Sequence, residues 1–254
     1  MPRLIKLELK KLAKPVLAAV LILSAAACIL CRTLYLEYTL YFILDPWEIG
    51  MEYYGLLFPL LVTVPVCWQL YYERRDRFLV YTLPRVSKRQ YLLAKWSACA
   101  LSAFAILFIP YFLSALCVLI PGVDEEHFLP PYDGYFHVFH RLYAQIPPAY
   151  ALFMSLWKAF LGVLMMSFGF VLAMYCKNLF VILTAPFIYY ILDNVLWTSL
   201  RIPGAFVFAY ESTVLNASII TPLAFLWGPL QLCAFTGLTA LFYGKVVKRA
   251  VYPL

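Results

Sequence analysis

What most limits this chain is a succession of apolar runs, each long enough to cross a bilayer. A helix rising about 1.5 Å per residue needs roughly 20 mostly apolar residues to span about 30 Å of hydrocarbon. Six segments qualify, at about 15–34, 54–72, 96–120, 149–175, 179–200 and 222–244. In lipid every backbone N–H and C=O must find its partner within the protein, so such runs form helices or closed barrels, and runs of this length form helices. Only 13% of residues are charged and the mean hydropathy is +0.83. A water-soluble domain needs about a quarter charged residues to cover its surface. No internal repeat and no low-complexity linker divides the chain. The expectation is an all-α membrane protein: one membrane domain over 1–254 with six transmembrane helices.

Charge fixes the expected orientation. Lys and Arg cluster at Arg3, Lys6, Lys10, Lys11 and Lys14, then at Arg74, Arg75, Arg77, Arg85, Lys88, Arg89 and Lys95, at Lys177, and at Lys245, Lys248 and Arg249. With six spans, all of these fall on one side. Only Arg32, Arg141, Lys158 and Arg201 lie elsewhere, and among the acidic residues only Glu8, Glu73 and Asp76 share the basic side. Basic residues in short flanking segments stay in the cytoplasm, so both termini are expected inside. The net charge of +7 is thereby a topological signal, and no nucleic-acid partner is expected.

Residues 3–14 form an amphipathic pattern. Arg3, Lys6, Lys10 and Lys14 recur at helical spacing opposite Ile5, Leu9 and Leu12, which suits a helix lying in the interface. Pro15 is expected to turn that helix into the first span. The opening stretch also has the basic, apolar and small-residue order of a signal peptide, but its periodicity favours the interfacial helix. The cysteines, seven in number, all fall in or at the ends of apolar runs, which argues against a disulfide framework in the loops. Cys28 and Cys31 have C-x-x-C spacing, which on a helix sets two small side chains on one face.

The densest charge block, "YERRDRFLVYTLPRVSKRQYLLAKW" at 72–96, connects spans two and three. It contains a short apolar piece, a break at Pro84, and Ser87 followed three residues later by Gln90, the signature of a capped helix start. Glu73, then Leu83-Pro84-Arg85-Val86-Ser87-Lys88, then Lys95 resembles the cytoplasmic segment of ABC type-2 transporter permeases. The six-span layout and the interfacial N-terminal helix, similar to that family's elbow helix, agree in outline. The resemblance implies a coupling helix that docks on an ATP-binding subunit through Phe78, Leu79, Tyr81 and Leu83, flanked by Arg74, Arg75 and Arg77. It also implies two such subunits carrying ATP and Mg, a second permease chain, identical or related, and a location in a bacterial plasma membrane. This chain has no phosphate-binding loop of the form G-x-x-x-x-G-K-[ST], so ATP hydrolysis is expected in a separate polypeptide and no cofactor in this one.

Further features accompany that pattern. Small residues of the fourth span, including Ser155, Ala159 and Gly162, share a face suited to close helix packing. Lys158 and Asp193 lie at similar depth in adjacent spans and are expected to form a charge pair, because a lone charge at mid-bilayer costs about 2.5–3.5 kcal/mol. Residues 201–222, broken by Pro203, Gly204 and Pro222, are expected to form short re-entrant helices on the outer side. The outer loop 121–148 carries Glu126, His127, Asp133, His137 and His140; its spacing matches no standard zinc site, and an aromatic interfacial belt accounts for it better. The expected function is export of an amphiphilic or hydrophobic substrate: a peptide antibiotic, lipid or drug. The alternative is a polytopic membrane enzyme with its chemistry in the outer histidine-containing loop.

Overall fold

The computed structural model describes residues 2–76, 87–122, 128–129, 139–199 and 224–245. The described residues are helical apart from connections and one isolated bridge, Leu40 to Phe128. The helices are α1 (Pro2–Thr33), α2 (Asp45–Arg75), α3 (Lys88–Leu119), α4 (His140–Gln145), α5 (Pro147–Tyr175), α6 (Leu179–Ser199) and α7 (Ala224–Lys245), with a 3₁₀ turn at Leu34–Glu37. Among the described residues, five helices, α1, α2, α3, α5 and α6, are long and apolar enough to cross a membrane.

Side-chain links show that these helices alternate in direction. Glu8 near the start of α1 meets Glu73's partner Lys95 near the start of α3, while Glu73 itself ends α2. At the opposite end, Arg32 closing α1 donates to Gly122 O beyond α3 at 2.9 Å, and Tyr150 opening α5 donates to Glu48 in the first turn of α2. The start of α1, the end of α2, the start of α3 and the α5–α6 turn at Lys177 therefore lie at one end of the bundle. These are the same segments in which the basic residues concentrate.

Burial ranks the helices. In the most apolar window of α5, 61% of residues are buried, against 17% in α1, so α5 is central and α1 peripheral. The small residues of α5 explain its position. Ser155, Ala159 and Gly162 are all in the interior. A Cβ on Gly162 would run into Leu107 Cδ1 and stand 3.2 Å from Val62 Cγ1, so α3 and α2 both press on the bare backbone there. Gly169 meets α2 likewise, with Cys67 and Thr63 atoms 3.1 Å from where its Cβ would stand. A few polar side chains tie neighbours together. Tyr54 donates to Leu23 O at 2.7 Å, Trp47 to Tyr111 O at 3.1 Å, and Thr63 to Leu183 O at 3.0 Å.

Two expectations about element bounds are corrected. The first helix does not break at Pro15 but runs unbroken from Pro2 to Thr33. Proline removes a single intrahelical bond, that to the Lys11 carbonyl, and the helix continues on either side of it. Arg3, Lys6, Lys10 and Lys14 are exposed and Leu12 is buried, so the amphipathic pattern is present as the first turns of a longer helix. The second helix starts at Asp45, well before the expected 54. Its polar opening turns are buried by hydrogen bonds to tyrosines remote in sequence, which a hydropathy window cannot register. Ser87 does cap α3, accepting from Gln90 N at 3.4 Å. Segment 201–222, expected to form re-entrant helices, lies outside the described residues.

Candidate functional site

A polar cluster forms where the start of α1, the end of α2 and the start of α3 converge. Lys95 is fully buried, and its ammonium bonds to Glu73 Oε2 and stands 3.3 Å from Glu8 Oε2. Lys11, half exposed, reaches Glu8 Oε1 at 2.6 Å and Glu73 Oε1 at 3.3 Å. Tyr91 donates to Glu73 Oε2 at 2.6 Å, and Gln69 to Glu73 Oε1 at 3.3 Å. Two ammonium groups and two carboxylates thus cancel one another's charge, with neutral donors filling the remaining lone pairs. That is the condition under which buried ions are tolerated, since each isolated ion costs several kcal/mol to desolvate.

The local sequence makes the cluster possible. Glu8 and Lys11 are one helical turn apart on α1 and face the same way. Tyr91 and Lys95 are i and i+4 on α3, and the Lys95 ammonium lies 5.8 Å from the Tyr91 ring centroid. A cavity of about 330 Å³ opens beside these groups, lined by Lys11, Trp68, Gln69, Tyr72, Glu73 and Asp76.

The arginines ending α2 divide. Arg74 turns into the bundle, donating to Ala173 O at 2.8 Å and to Cys176 O at the C-terminus of α5. Those carbonyls carry the negative end of the helix dipole and have no onward helical partner, so a guanidinium is well placed there. Arg75 stays exposed, pairs with Asp76 at 3.1 Å and lies 4.6 Å over the Tyr72 ring. Arg77, Phe78, Leu79, Tyr81 and Leu83 lie outside the described residues. Of the residues expected to flank a docking segment, Arg75 faces outward and Arg74 binds the α5 terminus. Arg74→Ala is expected to cost about 1.5–3 kcal/mol through the lost charged hydrogen bonds, with Arg74→Lys recovering only part, because lysine lacks the two-pronged geometry. Arg75→Ala should change stability by less than about 0.5 kcal/mol. Thermal unfolding in detergent distinguishes the two.

Lys158 and Asp193 are both buried. The Lys158 ammonium lies 5.7 Å from the Phe58 ring centroid and faces Gly55 on α2. Asp193 accepts from Gln231 of α7. Phe58 packs edge-on against Tyr190, three residues before Asp193, with centroids 5.4 Å apart. The two charged residues therefore belong to one α2–α5–α6 junction, each with close neighbours on a different helix.

A second polar group sits at the opposite end. Asp45 Oδ2 accepts from Tyr41 N at 2.7 Å and Phe42 N at 2.9 Å, and Oδ1 accepts from Tyr143 at 2.6 Å. Tyr150 donates to Glu48 at 3.3 Å. Burial, reinforced by the Glu48 and Asp45 carboxylates, holds the Tyr143 phenol well above its usual range, so it remains a donor. A cavity of about 650 Å³ adjoins this group, lined largely by Tyr41, Phe42, Leu119, Phe128 and Tyr143. His140 packs edge-on against Phe42 at 5.5 Å; Glu126, His127, Asp133 and His137 lie outside the described residues. Among the described residues no group of three or more His, Cys, Asp or Glu side chains is arranged to hold a metal ion.

Glu73 and Lys95 bracket the charged block in sequence, and the structure brings them into contact. Glu8 was not foreseen as their partner. Its one signal is position: an acidic residue amid a basic amphipathic stretch, on the apolar side of the helix. No protein-family model matches the chain, and neither a curated protein nor a solved structure is detectably similar to it.

Proposed function

We propose that this chain is the membrane-spanning permease subunit of an ATP-driven exporter, moving an amphiphilic or hydrophobic substrate out of the cytoplasm or the inner leaflet. The sixth span is α7, both termini are cytoplasmic, and segment 77–86 is the coupling element that docks on an ATP-binding subunit. A second permease chain, identical or related, completes the path. The observation that carries this reading is the Glu8–Lys11–Glu73–Lys95 cluster. It joins three helices by charge-assisted bonds, with Glu73 four residues before segment 77–86 and Lys95 about two helical turns after it. Force applied to that segment reaches α1, α2 and α3 together. Arg74 extends the linkage to α5. A loop serving only to fix topology has no use for a rigid base of this kind.

The test is affinity purification of the chain from native membranes in mild detergent. A stoichiometric ATP-binding cassette protein is expected to co-purify, and to be lost on Tyr81→Glu plus Leu83→Glu while the permease still inserts. Recovery of the chain without any ATPase would overturn the proposal.

A further inference from the structure

Seven cysteines are free in this structure, and two of them, remote in sequence, meet. Cys28 lies near the end of α1 and Cys117 near the end of α3, and their Sγ atoms are 2.9 Å apart. Both are part-exposed. Arg32 and Gly122, one turn beyond each, are joined by a 2.9 Å hydrogen bond that holds the same two helix ends together. The sulfurs thus belong to rigid, mutually fastened helices. Bringing them to the bonded distance of about 2.05 Å needs a shift of about 0.9 Å, well within side-chain rotation.

Cys31, three residues after Cys28, is the other thiol near this end of α1, and its surroundings set it apart. Cys31 is fully buried and faces α2, with its Sγ 3.8 Å from Trp47 O and its backbone pressed against Gly50. Cys31 is packed into the interior between Gly50 of α2 and Ser114 of α3, and Cys28 is the one whose sulfur meets Cys117.

We propose that Cys28 and Cys117 are a dithiol–disulfide pair that closes by exchange with a disulfide donor and staples α1 to α3. The thiolate of one cysteine attacks the donor disulfide, forming a mixed disulfide and expelling one donor thiolate. The second thiolate then attacks the protein sulfur of that mixed bond and expels the other. Two protein thiols are oxidised, one donor disulfide is reduced to two thiols, and the two protons pass to the expelled thiolates. The pair sits at the end of the bundle opposite the Glu8–Lys95 cluster. On the orientation proposed above that end faces away from the cytoplasm, where disulfides persist; the exchange chemistry does not depend on that orientation.

The experiment treats membranes containing the full chain with dipyridyl disulfide, alkylates the remaining thiols, and maps the products by proteolysis and mass spectrometry. The expected result is a Cys28–Cys117 cross-linked peptide pair that vanishes on reduction, with Cys31 absent from any cross-link. Cys31→Ser should leave the cross-link intact, and Cys117→Ser should leave Cys28 as a pyridyl mixed disulfide. The oxidised wild type should unfold at a higher temperature than the reduced form, and Cys28→Ser should abolish that difference. Recovery of Cys28 and Cys117 as separate mixed disulfides or as alkylated thiols in the wild type, or a Cys28–Cys31 bond, would overturn the proposal. Because no ATP-binding partner is needed for the measurement, its failure is distinct from failure of the permease assignment.

Discussion

Gly50→Ala is expected to be among the most destabilising single substitutions in this chain. An alanine Cβ at that position would stand 2.6 Å from Cys31 Cα, 2.7 Å from Cys31 N and 2.5 Å from Cys31 Sγ. Two of those atoms are backbone, so no side-chain rotation relieves the clash; α1 and α2 must move apart. Overpacking typically costs about 1–3 kcal/mol and more where the neighbour cannot yield. Here we expect about 3 kcal/mol or more, against a total stability of about 5–15 kcal/mol. The helix-propensity gain of about 1 kcal/mol from replacing glycine is too small to compensate. Gly55→Ala, whose Cβ would meet only Lys158 Nζ at 3.8 Å, and Gly237→Ala, with nothing within 4 Å, should both be tolerated. Size-exclusion profiles of fluorescent fusions in detergent will separate these cases. The double change Gly50→Ala with Cys31→Ala is a sharper check, since removing the sulfur leaves the backbone contacts in place. Rescue by that pair would mean that the helices are held apart by the side chain alone.

The second large effect is expected at Lys95. Lys95→Met removes the fully buried ammonium and leaves Glu8 and Glu73 sharing Lys11, which is half exposed. Breaking a buried ion pair from one side costs about 3–5 kcal/mol, most of it the stranded charge. Glu73→Gln removes the carboxylate that Lys95, Lys11, Tyr91 and Gln69 all contact. Combining Lys95→Met with Glu73→Gln should restore at least about 1 kcal/mol relative to the sum of the single losses. Strict additivity of the two, measured by thermal unfolding, would mean that the cluster does not act as a unit.

The same two regions show how far residue patterns reach. Gly50 carries no local mark of its importance; it is one glycine in a stretch that hydropathy leaves out of the second span. Its role comes from Cys31, nineteen positions earlier, arriving against its backbone. The opening of α2 is hard to read for a related reason. Asp45 and Glu48 look like loop residues because their neutralising donors, Tyr143 and Tyr150, come from about a hundred residues later. Local periodicity sees neighbours one or two turns away, so the Ser87 cap on Gln90 was legible and the Asp45–Tyr143 bond was not. Within the charged block, Glu73 and Lys95 could be singled out as its ends. Nothing local, however, separates Arg74, which binds the α5 terminus, from Arg75, which stays outside; one step along a helix rotates a side chain by about 100°.

The sequence by itself determined that the chain carries helices long and apolar enough to cross a membrane, because runs of about 20 apolar residues leave the backbone no other way to satisfy its hydrogen bonds in lipid. It also determined which segments carry the basic charge, and so which ends of the helices belong together. Only the tertiary structure decided which charges neutralise one another, which cysteine faces which helix, and where a missing side chain lets two backbones touch. Those outcomes depend on groups far apart in the chain being brought within a few ångströms, and at that range hydrogen bonding, ion pairing and steric exclusion act, none of which is written into the local order of residues.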